Sequence, residues 1–166
     1  PEPPDEMEPR LLDLKDPLCD EGGKSDVTFV FGDGSGGSRS ADPRLRRTAW
    51  AWVAVSGQEV ASPDAWKVTK AECGQTPGRQ TVNRAEVSAF LQALRGTKGE
   101  VHFITHSDYV RRGHSKISRN KLPISNRDLW SQVKGAMRGR ELQVSKVKSH
   151  RSEEDIMRGD VNPFWF

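Results

Sequence analysis

Asp33, Glu86, His106 and His150 are the residues of this sequence best suited to hold a cation or move a proton at a shared centre. Asp33 lies in Gly32-Asp33-Gly34-Ser35-Gly36, directly after the apolar run Val27-Thr28-Phe29-Val30-Phe31. That pattern reads as a strand running into a turn, and taken alone Asp-Gly-Ser-Gly favours an ordinary turn aspartate. Glu86 carries more information. With Glu86 at zero on a helical wheel, Phe90 falls near about 40°, Leu94 near 80° and Val87 near 100°. The carboxylate therefore borders the apolar stripe and leans towards the core, where a buried charge needs a compensating partner such as a metal ion. A first-turn glutamate favoured by the helix dipole is the competing explanation. His106 and His150 each follow a strand, after Thr105 and in Val147-Lys148-Ser149-His150. A lone histidine at a strand end is ordinarily a surface residue, but ligands of open α/β sheets collect at the carboxyl ends of parallel strands.

Three strands are expected to precede the helix that carries Glu86. They are Val27–Phe31, closed by the glycine-rich turn, Thr48–Val55 with Trp50 and Trp52 alternating, and a weaker one from Trp66 to Cys73. From Thr81 the period becomes helical, with Val87, Phe90, Leu91 and Leu94 at i, i+3, i+4 and i+7 and Gly96 as the stop. A strand over 100–105, a short helix over 108–113, a helix over 126–137 and a last strand over 141–147 complete the order. Antiparallel strands first and βα alternation afterwards imply an α/β fold, a mixed five-stranded sheet flanked by helices. Trp50, Trp52, Trp66 and Trp130 sit at buried-face spacing and read as core.

The chain has 166 residues, enough for one domain, with 30% charged and 34% hydrophobic residues. No apolar stretch approaches membrane-spanning length and no secretory pattern opens the sequence, so no membrane partner and an intracellular site, cytoplasmic or nuclear, are expected. Cys19 and Cys73 supply neither a disulfide framework nor metal spacing. Residues 1–25 carry eight acids against three bases, a net −5, and read as an acidic, proline-containing flexible leader. The remaining chain, 26–166, then carries +8 of the overall +3, which suits a polyanionic partner.

In this order the segments resemble the ribonuclease H type 1 family. The resemblance is carried by Asp33-Gly34-Ser35-Gly36, Thr81-x-Asn83-Arg84-Ala85-Glu86, Thr105-His106-Ser107-Asp108-Tyr109-Val110-x-x-Gly113, Asn126-x-Asp128-Leu129-Trp130 and Val147-Lys148-x-His150. It implies the family's fold and hydrolysis of the RNA strand of an RNA–DNA hybrid with two magnesium ions, manganese being tolerated. It makes Asp33 and Glu86 metal ligands and His150 the mobile histidine that assists proton transfer or product release. Gly34, Ser35, Asn83, Arg84, Ser107 and Asp108 fall at positions that contact substrate or brace the site.

Two departures from the family pattern bear on activity. The pattern Thr-Asp-Ser-x-Tyr-Val reads here Thr105-His106-Ser107-Asp108-Tyr109-Val110, so His106 stands where the family has a metal-binding aspartate. Asp108, two residues later, is a weak substitute because its side chain is redirected. A neutral imidazole is a poor magnesium ligand and suits manganese better. The family also ends on Gly-Asn-x-x-Ala-Asp at the start of a final helix, whereas Gly159-Asp160-Val161-Asn162-Pro163 runs into Phe164-Trp165-Phe166. Asp160 is a weak candidate for the last ligand, since Pro163 blocks a continuous helix. The sequence thus reads as an impaired hybrid ribonuclease of retroelement origin lacking its closing helix, a monomer or part of a larger polyprotein. The alternatives are an inactive nucleic-acid-binding module or a decayed fragment.

Overall fold

The computed structural model describes residues 10–11, 27–39, 41–56 and 67–147; Trp66, His150 and Asp160 lie outside them. The strands are β1 (Arg10–Leu11), β2 (Thr28–Ser35), β3 (Ala49–Ser56), β4 (Lys67–Gln75), β5 (Val101–Thr105) and β6 (Leu142–Lys146). The helices are α1 (Val82–Gly96), between β4 and β5, then α2 (Asp108–Ser118) and α3 (Arg127–Ala136), between β5 and β6. The sheet order is β1-β4-β3-β2-β5-β6. Strands β2, β3 and β4 pair antiparallel, while β5 runs parallel to both β2 and β6. This is the expected mixed five-stranded sheet with one addition. Arg10–Leu11, within the segment read as a leader, pairs with Cys73 and Glu72 at the β4 edge.

The local differences from the sequence reading have physical causes. Strand β2 does not stop at Phe31 but runs on through Ser35, so Asp33 lies in a strand and not in a turn. Gly32 and Gly34 stay in register with Trp52 and Trp50 of β3, and ladder pairing outweighs the turn preference of the glycines. Both glycines sit where bulk is excluded. A Cβ on Gly32 would strike the Phe103 ring, and one on Gly34 would come within 2.5 Å of the Glu86 amide nitrogen. Helix α2 likewise continues beyond Gly113, because Val110 and Ile117, seven residues apart, both reach the core.

The main core lies between the sheet and the three helices, with Val30, Trp50, Trp52, Phe90, Phe103 and Trp130 at its centre. The rings of Phe90 and Phe103 meet at a tilt of 51° with centroids 4.7 Å apart, and Trp130 meets Phe90 edge-on at 6.4 Å. Trp50, Trp52 and Trp130 are buried, as their spacing suggests. A smaller cluster of Phe29, Val55 and Ile104 forms separately.

Gly113 of α2 lies directly against Trp130, leaving no room for a methyl group. Alanine would gain about 1 kcal/mol of helix propensity, but overpacking against a fixed indole costs about 1–3 kcal/mol. Gly113→Ala is therefore expected to lower the urea midpoint, read by tryptophan fluorescence. An unchanged or higher midpoint would mean that Trp130 moves freely.

Candidate metal and nucleic-acid site

The parallel register sets the geometry of the site. Phe31 of β2 pairs with Ile104 of β5, so Asp33 and His106, each two residues further on, come side by side at the strand ends. Helix α1 supplies the third group. Its N-cap, Thr81, accepts a hydrogen bond from the Arg84 amide, and its first turns cross β2 at Gly34. That contact brings Glu86 against Asp33. One oxygen of each carboxylate and a ring nitrogen of His106 lie within 4.8 Å of one another. His106 Nε2 is 3.3 Å from both Asp33 Oδ1 and Glu86 Oε1.

The three groups differ in their surroundings. The Asp33 side chain is 63% exposed, that of His106 38% and that of Glu86 only 3%. Glu86 Oε2 is buried without a hydrogen-bond partner. Burial, and then the neighbouring Asp33 charge, push the Glu86 carboxyl from 4.5 up to about 8, against an opposing hydrogen bond from the Gly34 backbone. A buried, part-orphaned carboxylate beside a second carboxylate calls for a cation, and two acids with one imidazole suffice for one divalent ion. They do not provide the all-oxygen ligand set of two magnesium ions; a second ion would need ligands from beyond the described residues.

The remaining residues singled out from the sequence are placed as follows. Asp108 turns away from the cluster into ion pairs with Arg111 at 3.2 Å, Lys146 at 3.3 Å and Arg112 at 3.4 Å. The Arg111 hydrogen bond is the chief reason its carboxyl is held below the usual range. Ser107 is buried and spends its hydroxyl on the Val110 amide as the N-cap of α2. Gly34 is buried under α1, whereas Ser35 and Asn83 are exposed. Arg84 points inward. Its Nη2 is 2.6 Å and its Nη1 3.0 Å from the two oxygens of Asp128, and its Nε donates to the Pro77 carbonyl at 2.6 Å. Nη1 also donates to Asn126 Oδ1 at 3.3 Å.

Asp128 and Asn126 thus join the site's frame, a role not assigned to them from sequence. Their signal was Asn126-x-Asp128 at the start of α3, directly before the core-facing Leu129 and Trp130. Asn126 also donates to Tyr109 Oη at 3.1 Å, and Tyr109 donates to the Ser125 carbonyl at 2.8 Å. The two helices after β5 are in this way tied to the first turn of α1. Gln80 fixes the approach to that turn, its Oε1 accepting from the Thr48 amide at 2.8 Å and its Nε2 donating to the Thr76 carbonyl at 2.9 Å.

Comparison with known proteins comes from sequence and from structure. Residues 25–160 match the family model described as RNase H. A ribonuclease H of Mycolicibacterium gilvum is 32% identical over 101 residues, covering 54% of this chain and 67% of that protein. One from Schizosaccharomyces pombe is 26% identical over 148 residues, covering 82% of this chain and 52% of that protein. The chain therefore spans between about half and two thirds of these relatives. Among solved structures, LC9-RNase H1, described as a type 1 RNase H with the type 2 active-site motif, superposes with a TM-score of 0.58 at 18% identity, covering 84% of this chain and 71% of that one. The foamy viral protease-reverse transcriptase in complex with an RNA/DNA hybrid gives a TM-score of 0.54 at 15% identity, over 92% of this chain and 22% of that one. At these identities the structural likeness establishes the fold.

Two predictions follow from the electrostatics of this site. The raised Glu86 pKa means that the folded state holds this proton more tightly than the unfolded chain. Its stabilisation is fully present below 4.5 and is lost as the pH climbs through about 8. Metal-free protein is expected to lose stability from pH 5 to pH 8.5, and Glu86→Gln to flatten that slope in thermal melts with chelator. An identical slope in the variant would place the proton elsewhere. Replacing Arg84 by lysine removes the two-pronged contact with Asp128 and is expected to cost about 1–3 kcal/mol in chemical denaturation.

Proposed function

Because the chain belongs to the ribonuclease H family, we propose that it binds RNA–DNA hybrids and hydrolyses their RNA strand at the Asp33–Glu86–His106 cluster, with turnover in magnesium impaired by His106. The observation that carries this reading is the position of the imidazole, 3.3 Å from each of two converging carboxylates. Family relatives named ribonuclease H support the substrate class, and the cluster supports divalent-metal dependence.

The chain's own residues have separable tasks. Glu86, fixed from below by the packing of α1 on Gly34, presents one carboxylate oxygen to the cluster from a dry environment. Asp33, more exposed, faces the open side where a phosphate would arrive. Exposed Ser35 and Asn83, two residues after Asp33 and three before Glu86, are suited to the sugar–phosphate backbone, whose 2′-hydroxyls mark the RNA strand. A divalent ion held by the cluster would help activate water and neutralise charge developing on the phosphate. Arg84 takes no part in that contact, since its donors are committed to Asp128, Asn126 and Pro77, and acts by holding the start of α1. Lys116, Arg119 and Lys121 around the end of α2 are exposed and add positive charge for non-specific phosphate attraction. His150, Asp160 and the origin in a retroelement stay within this proposal as expectations from the family resemblance.

The shortage of carboxylates favours a second reading, a module that binds hybrids without cutting them. End-labelled hybrid cleavage separates the two when the parent chain is compared with His106→Asp in magnesium and in manganese. The variant is expected to cut roughly 100-fold faster or more in magnesium, a gain of about 2.7 kcal/mol in transition-state stabilisation at 1.36 kcal/mol per tenfold. Efficient magnesium-dependent cutting by the parent would refute the impairment. Tight hybrid binding in chelator with no cutting by either chain would establish the binding module instead.

A further inference from the structure

The donor set of the cluster says which cation it selects. Once an ion displaces the Glu86 proton, two carboxylates and an imidazole ligand supply a charge of −2, which neutralises one divalent ion and leaves a second uncompensated beside a buried glutamate. The three donors are also close enough together to share one ion. Here Nε2 stands 3.3 Å from each carboxylate oxygen, with all three donors inside 4.8 Å. Imidazole is a favoured ligand of zinc and its neighbours and a poor one for magnesium. Independently of the cluster's shape, Glu86 Oε2 is buried and unpartnered, so the carboxylate has an unmet need for a positive neighbour.

We infer that Asp33, Glu86 and His106 form a single-ion site selective for an imidazole-preferring divalent cation of the zinc and cobalt class, with His106 setting the preference over magnesium. The inference rests on reading this cluster as a metal position, and it departs from the magnesium pair that the family resemblance implies. Three protein ligands leave one position of a tetrahedral ion open to water or a phosphate oxygen, as in a catalytic and not a structural zinc site. Asp108 takes no part, being held by Arg111, Arg112 and Lys146.

The test is a calorimetric titration of metal-free protein with zinc, cobalt and magnesium, in the absence of nucleic acid, with the visible spectrum of the cobalt form recorded alongside. One zinc or cobalt ion per chain is expected, with the intense absorption of tetrahedral cobalt. In His106→Asp the ratio of zinc to magnesium affinity is expected to fall at least about tenfold. His106→Asn, isosteric with that variant but uncharged and without the imidazole, should lose the cobalt absorption. Two ions per parent chain, an unchanged ratio in His106→Asp, or zinc binding that survives in both His106→Asn and Asp33→Asn would overturn the inference. The stoichiometry and cobalt spectrum of the parent need no variant to fold. Hybrid binding, measured separately in chelator, tells a failure of this site apart from a failure of the nucleic-acid reading.

Discussion

Everything at the candidate site follows from the absence of a side chain at Gly34. Because nothing projects from that residue, the first turns of α1 lie on β2 with the Glu86 amide within reach of where a Cβ would stand. The contact drives one carboxylate into a dry pocket beside a second. Burial first, and then the charge of Asp33 beside it, makes Glu86 resist ionisation, which is why its carboxyl is pushed up to about 8. The fold has created a demand for positive charge at this one point, and the chemistry of the site depends on what meets it.

His106 is the residue delivered to that point. The parallel pairing of β2 with β5 fixes it beside Asp33 by register alone, and the N-cap of α2 at Ser107 fixes where the chain turns away. Its Nε2 reaches both carboxylates, but one proton can satisfy only one of them at a time. An imidazole is therefore a partial stand-in for a cation, enough to let the two acids coexist and too little to replace the carboxylate that hard cations want. The ion pair of Arg84 with Asp128 is the counterpart at the start of α1. It ties the start of that helix to α3, so Glu86 is positioned both by the packing of α1 on Gly34 and by this salt bridge.

Much of this was legible in the residues because the relevant signals are local. The phase of Glu86 relative to Phe90 and Leu94 placed its carboxylate at the edge of the core, and the strand ending at Thr105 placed His106 at the sheet's carboxyl end. What was not legible depended on contacts distant in sequence. Gly32 and Gly34 looked like a turn because nothing nearby shows that Trp50 and Trp52 would hold them in a ladder. Gly113 looked like a helix stop because its close packing on Trp130 is a tertiary fact. The inward commitment of Arg84 needed Asp128, 44 residues away, to be brought alongside. The pairing of Arg10 and Leu11 with β4 was hidden in an acidic segment of weak hydrophobicity.

The central claim is that the His106 ring is shared between Asp33 and Glu86, and the protonation of its two nitrogens tests this most directly. Nitrogen-15 shifts of the ring would be measured in metal-free protein at pH 9, above the Glu86 value of about 8, with Nε2 facing an oxygen of each carboxylate. The account predicts the neutral tautomer with its proton on Nε2, the assignment being checked against His106→Asn. A ring protonated on Nδ1, or averaging between tautomers as an exposed histidine does, would contradict it.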